Sequence, residues 1–128
     1  MIEDNIIPVI YPLGIGRDGH TYNVNADDVA SSLAIALKAE KFVLLTNVNG
    51  IMKDKDDPKT LYNTIKASEV ERLIKKNIIN SGMIPKARAC ISATKGGVKK
   101  AHILNAGIPH ALLLEIFTDQ GIGTEIIK

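Results

Sequence analysis

The chain is poor in the residues that mark out many protein classes. Of its 128 residues one is cysteine and none is tryptophan, and aromatics make up 4%. A single thiol, Cys90, cannot form an internal disulfide framework, which argues for a reducing compartment and against secretion. No apolar run approaches the roughly 18 residues that a membrane-spanning helix needs. The opening Met1-Ile2-Glu3-Asp4 is not the positively charged start of a signal peptide. An excess of one charge is also missing: 16 Lys and Arg against 14 Asp and Glu leave a net +2 without a run of like charge. That balance gives no footprint for nucleic acid or an anionic membrane. Internal repeats and low-complexity tracts are absent. The expectation is a soluble protein of the cytoplasm or of an organelle such as a plastid.

What is present is a 45% hydrophobic content, enough for one sizeable core in one globular unit. Ile6-Ile7-Pro8-Val9-Ile10-Tyr11 is a short β-branched run that reads as a strand, and the glycines after it predict a hairpin back through His20-Thr21-Tyr22. From Ala26 to about Ala39, Val29, Ala30, Leu33, Ala34 and Leu37 recur at helical spacing, with Asn25 placed to cap the first turn. Lys41 to Thr46 is a near-continuous apolar strand, of the kind covered on both faces in an α/β sheet. Asn47 through Thr60, with Gly50 and Pro58, predicts a long loop carrying at most a small hairpin. Ser68-Glu69-Val70-Glu71 reads as a capping box for a helix to about Lys76. A second helix runs from Gly82 to about Lys95 and closes at Gly96-Gly97. Ala101 to Leu104 predicts a strand, Pro109 a helix start running to about Thr118, and Gly123 to Ile127 a final strand. This alternation predicts an α/β fold: a mostly parallel open sheet with helices on both faces.

Gly14, Gly16 and Gly19 satisfy G-x-G-x-x-G after a predicted strand, but a dinucleotide fingerprint must open a helix, and here the third glycine leads into a strand-like stretch. A hairpin is the better reading. No G-x-x-x-x-G-K-[ST] occurs, so a P-loop is excluded. Asp54-Lys55-Asp56-Asp57 resembles a calcium-loop start, yet Pro58 precedes the glycine position and Ile65 stands where a bidentate Glu belongs, which leaves a solvated turn. His20, His102 and His110 are far apart in sequence and Cys90 has no nearby His, so no metal set and no thiol nucleophile is predicted. Asn23-Val24-Asn25-Ala26-Asp27-Asp28 admits two readings: helix capping with an acidic first turn, or Asn23 or Asn25 donating to an anionic substrate while Asp27 holds cationic groups in place. Lys86, in Ser81-Gly82-Met83-Ile84-Pro85-Lys86, sits in a first helical turn where the dipole disfavours a cation. A bound phosphate would explain it, as would an ordinary surface lysine.

Taken together, Asn23 to Asp27, then Val43-Leu44-Leu45-Thr46-Asn47-Val48-Asn49-Gly50-Ile51, then Gly82 to Lys86, then His110 to Glu115 with Gly121-Ile122-Gly123-Thr124, resemble the acetylglutamate kinases of the amino acid kinase family. Order and spacing agree over nearly the whole chain. The resemblance implies an open α/β sandwich in which the C-terminal half binds ATP, and it reads residues 1–128 as one nucleotide-binding lobe. The acceptor half, with its glycine-rich loops, lysine and arginine, would precede Ile6. It implies phosphoryl transfer from ATP, with Mg2+, to the side-chain carboxylate of N-acetylglutamate in arginine biosynthesis, a reaction the isolated lobe should not complete. Lys86 then matches the lysine that stabilises the transition state, Asp27 the aspartate that orients catalytic lysines, and Asn23, with Asn25 beside it, the residues at the acceptor. Thr46, Asn47, Val48, Asn49, Gly50, Ile51 and Met52, with Ile78, Ile79, Asn80 and Met83, match segments lining the ATP site. Many members carry aspartate at the position of Asn47, so one charge toward the nucleotide is missing here. His110, Glu115, Gly121 and Gly123 resemble the arginine-inhibited branch, whose members also use an N-terminal helix. A homo-oligomer is expected. The competing readings are a kinase of the aminoadipate type and a non-catalytic nucleotide- or arginine-binding module.

Overall fold

The computed structural model describes residues 6–118 and 121–128, so Met1-Ile2-Glu3-Asp4 lies outside the described residues. A hairpin of β1 (Leu13–Ile15) and β2 (Thr21–Asn23) leads into α1 (Ala26–Ala36), β3 (Lys41–Thr46), β4 (Thr64–Lys66), α2 (Ala67–Lys75), α3 (Ile84–Lys95), β5 (Lys100–Asn105), α4 (Ala111–Phe117) and β6 (Thr124–Ile127). The main sheet has the order β3-β5-β6-β4. The pairs β3/β5 and β4/β6 are parallel, and β6 runs antiparallel to β5. The α/β class and the mostly parallel sheet are therefore as the pattern predicts.

Alternation along each strand sorts the sheet into two unlike faces. One carries Phe42, Leu44, Ala101, Ile103, Ile65 and Ile126, all buried against α1, α2 and α3. The other carries Lys41, Lys100, His102, Glu125 and Thr64 and meets α4. Helix α3 is the spine of the first layer: Ala87, Ala89, Cys90, Ile91, Ala93 and Thr94 are all buried, and its small side chains let α1 approach closely. Where α3 ends, a Cβ on Gly96 would stand 2.5 Å from the Ile35 side chain of α1, so any larger residue there would have to push that side chain aside.

Several expectations need correction. Ile6–Tyr11 forms no strand; Ile7 is 88% exposed. A β-branched run has strand propensity but becomes a strand only where a neighbouring edge accepts its backbone groups. The hairpin instead uses Leu13–Ile15, with Gly19 at φ 80 in its turn. Ser68 is no cap: α2 starts at Ala67 directly after β4, with Lys66 at the cap position and no side-chain cap bond. That strand, Thr64–Lys66, was too short to declare itself in sequence. Pro109 lies in a turn, and α4 begins at Ala111 after His110 at φ 58. β3 is not covered on both faces, since Leu45 is 53% exposed at the sheet edge.

Candidate functional site

Parallel strands leave their carboxyl ends on one side of a sheet, and ligands of open α/β folds bind outside those ends. Here β3 ends at Thr46 and β5 at Asn105, and the two ends are tied by Ala106 N–H donating to the Thr46 carbonyl at 2.8 Å. The loop after β3 is held by Asn105, whose amide donates to Asn49 Oδ1 at 2.7 Å. It then runs under a cavity of about 280 Å³ lined by Val48, Gly50, Ile51, Met52, Lys55, Ile78, Ile79, Asn80 and Met83. Its wall is mainly apolar, with few polar groups at its rim, a composition suited to a flat heteroaromatic group. A wider cleft of about 550 Å³ shares Lys55, Ile78 and Asn80 and adds Lys53, Asp54, Thr60 and Asn77.

The segments at 48–52 and 78–83 are thus brought together across a gap of more than twenty residues in sequence. Thr46, Asn47 and Asn49 flank this cavity without lining it. Lys55 also lines the cavity, although its sequence context reads as a solvated turn. The loop folds that turn back through the Met52–Leu61 bridge, and no periodicity reports such a return. Asn80 shapes the far wall, because its side chain accepts from Met83 N–H at 3.0 Å and its carbonyl accepts from Ile84 N–H at 3.0 Å, which fixes the entry into α3.

One turn further along α3, Lys86 Nζ lies 3.0 Å and 3.2 Å from the two carboxylate oxygens of Asp27. The pair is partly buried, with side-chain exposures of 28% and 16%. Asp27 is in the first turn of α1, so two helix N-termini converge and the carboxylate offsets the lysine that the α3 dipole disfavours. The sequence offered phosphate or solvent for Lys86; the structure adds Asp27. Asn25 is the α1 cap, its Oδ1 accepting from Asp27 and Asp28 N–H at 2.9 and 3.2 Å. Asn23 is exposed at the end of β2, the strand that leads into α1. Cys90 follows Lys86 by one turn, and burial, with Asp27 adding to it, pushes its thiol up to about 12.

On the polar face of the sheet a separate cavity of about 600 Å³ is lined by Lys41, Asn63, Thr64, Lys100, His102, Glu115, Ile116, Thr118, Gly121, Gly123 and Glu125. Glu115 anchors it: one oxygen lies 2.6 Å from His102 Nδ1 and the other accepts from Ile122 N–H at 2.9 Å. Lys100 meets Glu125 at 2.7 Å and is held above its usual value by that carboxylate. Glu115, Gly121 and Gly123 therefore converge, whereas His110 is exposed at the start of α4 and does not line the cavity. The histidine that does is His102, nearly fully buried, with Nε2 lacking a partner among the described residues. A register argument on β5 could have found it, since alternation puts 102 on the face opposite Ala101 and Ile103. Among the described residues no group of three or more His, Cys, Asp or Glu side chains is placed to hold a metal ion, and no helix is long and apolar enough to cross a membrane.

A family model described as the amino acid kinase family matches residues 1–105. The acetylglutamate kinase of Moorella thermoacetica is 50% identical over 127 residues, which is 99% of this chain and 43% of that protein. The chain thus spans less than half the length of the curated relatives it matches. Among solved structures, N-acetylglutamate synthase from Neisseria gonorrhoeae, complexed with coenzyme A and L-arginine, superposes with a TM-score of 0.81 at 37% identity, covering 91% of this chain and 26% of that one. Carbamate kinase from Giardia lamblia bound to AMP-PNP gives 0.65 at 27% identity, covering 88% of this chain and 36% of that one.

Proposed function

The chain belongs to the amino acid kinase family, and from that premise we propose that it is the ATP-binding lobe of an acetylglutamate kinase. The observation that carries the reading is the line from the apolar cavity through Met83 to the Lys86–Asp27 pair, which leads from a nucleotide-base pocket to a charged point one helical turn away. In the reaction, a carboxylate oxygen of N-acetylglutamate attacks the γ-phosphorus, the bond to the β–γ bridging oxygen breaks, and ADP leaves. No proton moves. Catalysis is then positioning plus charge neutralisation. Val48 to Met52 and Ile78 to Asn80 hold the base, Lys86 faces the transferring phosphoryl group, and Asp27 aims Lys86. Asn23 and the Asn25 amide, on the hairpin side, face the acceptor. Mg2+ enters as part of the ATP substrate, bound by its phosphates. The 50% identity to acetylglutamate kinases supports this acceptor over aminoadipate.

Calorimetric titration of ATP-Mg into the chain tests the reading. Binding is expected, and Lys86→Ala should weaken it about tenfold, the scale of one charge-assisted hydrogen bond. An unchanged affinity in Lys86→Ala would remove Lys86 from the site. Joining the chain to the N-terminal half of a curated relative and comparing N-acetylglutamate with aminoadipate settles the acceptor.

A second ligand is supported by the polar cavity. Glu115 and Glu125, with His102 beside them, offer carboxylates to a guanidinium, while Lys41 and Lys100 offer cations to a carboxylate. Arginine suits both ends, and the Neisseria structure was solved with L-arginine. Arginine should raise the melting temperature of the chain, and Glu115→Ala should abolish that rise.

A further inference from the structure

The loop that floors the nucleotide cavity is fastened from an unexpected direction. Ile51 N–H donates to Thr124 Oγ1 at 2.8 Å, a buried bond between residues 73 apart in sequence. The Ile51 carbonyl accepts from Tyr62 N–H at 2.9 Å, so both backbone groups of this residue are fixed. Thr124 is 0% exposed and opens β6, paired with Ile103 of the central strand, so its hydroxyl is mounted on a rigid part of the sheet. Gly50 accommodates it: its φ is +138, and a Cβ there would stand 2.6 Å from Thr124 Oγ1 and 3.0 Å from Leu61 Cδ1. Gly50 and Ile51 both line the cavity.

We propose that Thr124 is a positioning residue for nucleotide binding: its hydroxyl fixes the Gly50–Ile51 backbone at the height that leaves the cavity open for the base. The inference rests on the nucleotide reading of that cavity. A buried N–H without a partner is costly, so a chain lacking this hydroxyl would turn the Ile51 amide toward water and close or distort the floor. A threonine there for packing alone would affect stability but not the affinity of the folded chain.

The test compares Thr124→Val, which keeps shape and loses the acceptor, with Thr124→Ser, which keeps the acceptor. Amide exchange at Ile51 should quicken about tenfold or more in the valine variant and stay near the original in the serine variant. The ATP-Mg dissociation constant should rise about tenfold for valine and be restored by serine, measured on protein shown folded by circular dichroism. If valine does not fold, Thr124→Ala, read the same way, takes its place. Nucleotide affinity unchanged in a folded variant lacking the hydroxyl, with the original chain binding normally, would overturn this proposal alone. Failure of the original chain to bind ATP-Mg would instead overturn the nucleotide reading and take the proposal with it.

Discussion

At the scale of single residues, the proposed chemistry rests on the side chains where α1 and α3 begin. Lys86 is held between a helix dipole that repels it and the Asp27 carboxylate that retains it, which keeps its ammonium group at one place without neutralising its donors. Replacing Asp27 with Asn should leave the chain folded and reduce ATP-Mg affinity less than Lys86→Ala does, because the lysine loses its aim but not its charge. Equal losses in the two variants would show that the aim of Lys86 matters as much as its charge, and no loss in either would show that the pair serves stability alone. Cys90 gives a second prediction. Its thiol is pushed up to about 12 from an ordinary value of 9.0. Between those values the folded chain keeps a proton that the unfolded chain has released, so stability falls as pH rises across this window. The same burial should make the thiol inert to a disulfide reagent near neutral pH until denaturant is added; rapid labelling of native protein would contradict that.

At the scale of elements, Asn25 shows how a sequence signal and its structural outcome agree. The motif reads as a cap or as a ligand, and the backbone uses the carbonyl oxygen as a cap while leaving the amide of the side chain free of that task. Asn25→Ala should cost about 1 kcal/mol in urea unfolding and Asn25→Ser should recover most of it. Where local signals dominate, the fold was legible: α1, β3, α3 and β5 lie within a few residues of where periodicity puts them. Where an element depends on a partner, it was not. Ile6–Tyr11 has the composition of a strand and no paired edge, and β4 has three residues and exists because β6 accepts it. The antiparallel turn of β6 could not be read either, since direction is set by neighbours and not by alternation. At the candidate site, the segments 48–52 and 78–83 followed from the family resemblance. Lys55 did not, because it is placed by a tertiary return that leaves no spacing behind, and His102 follows only from the register of β5, not from any motif.

At the scale of the whole molecule, the apolar surface is uneven. Ile7, Val9, Leu13 and Ile15 are exposed beside a shallow apolar hollow formed by Pro8, Ile10, Pro12 and α1, and among the described residues β3 has a neighbour on one side only. Exposed apolar patches and open strand edges favour association. The chain should therefore self-associate with rising concentration in sedimentation experiments, and Ile7→Lys with Val9→Lys should shift it toward monomer; a concentration-independent monomer would contradict this.

The claim that joins these scales is that ATP-Mg occupies the cavity beyond the ends of β3 and β5. Amide exchange of the chain with and without ATP-Mg tests it directly: protection should appear at residues 47–52 and 78–83 and at the start of α3, with the polar cavity around His102 and Glu115 unaffected. Protection confined to the polar cavity, or none at either segment, would contradict it.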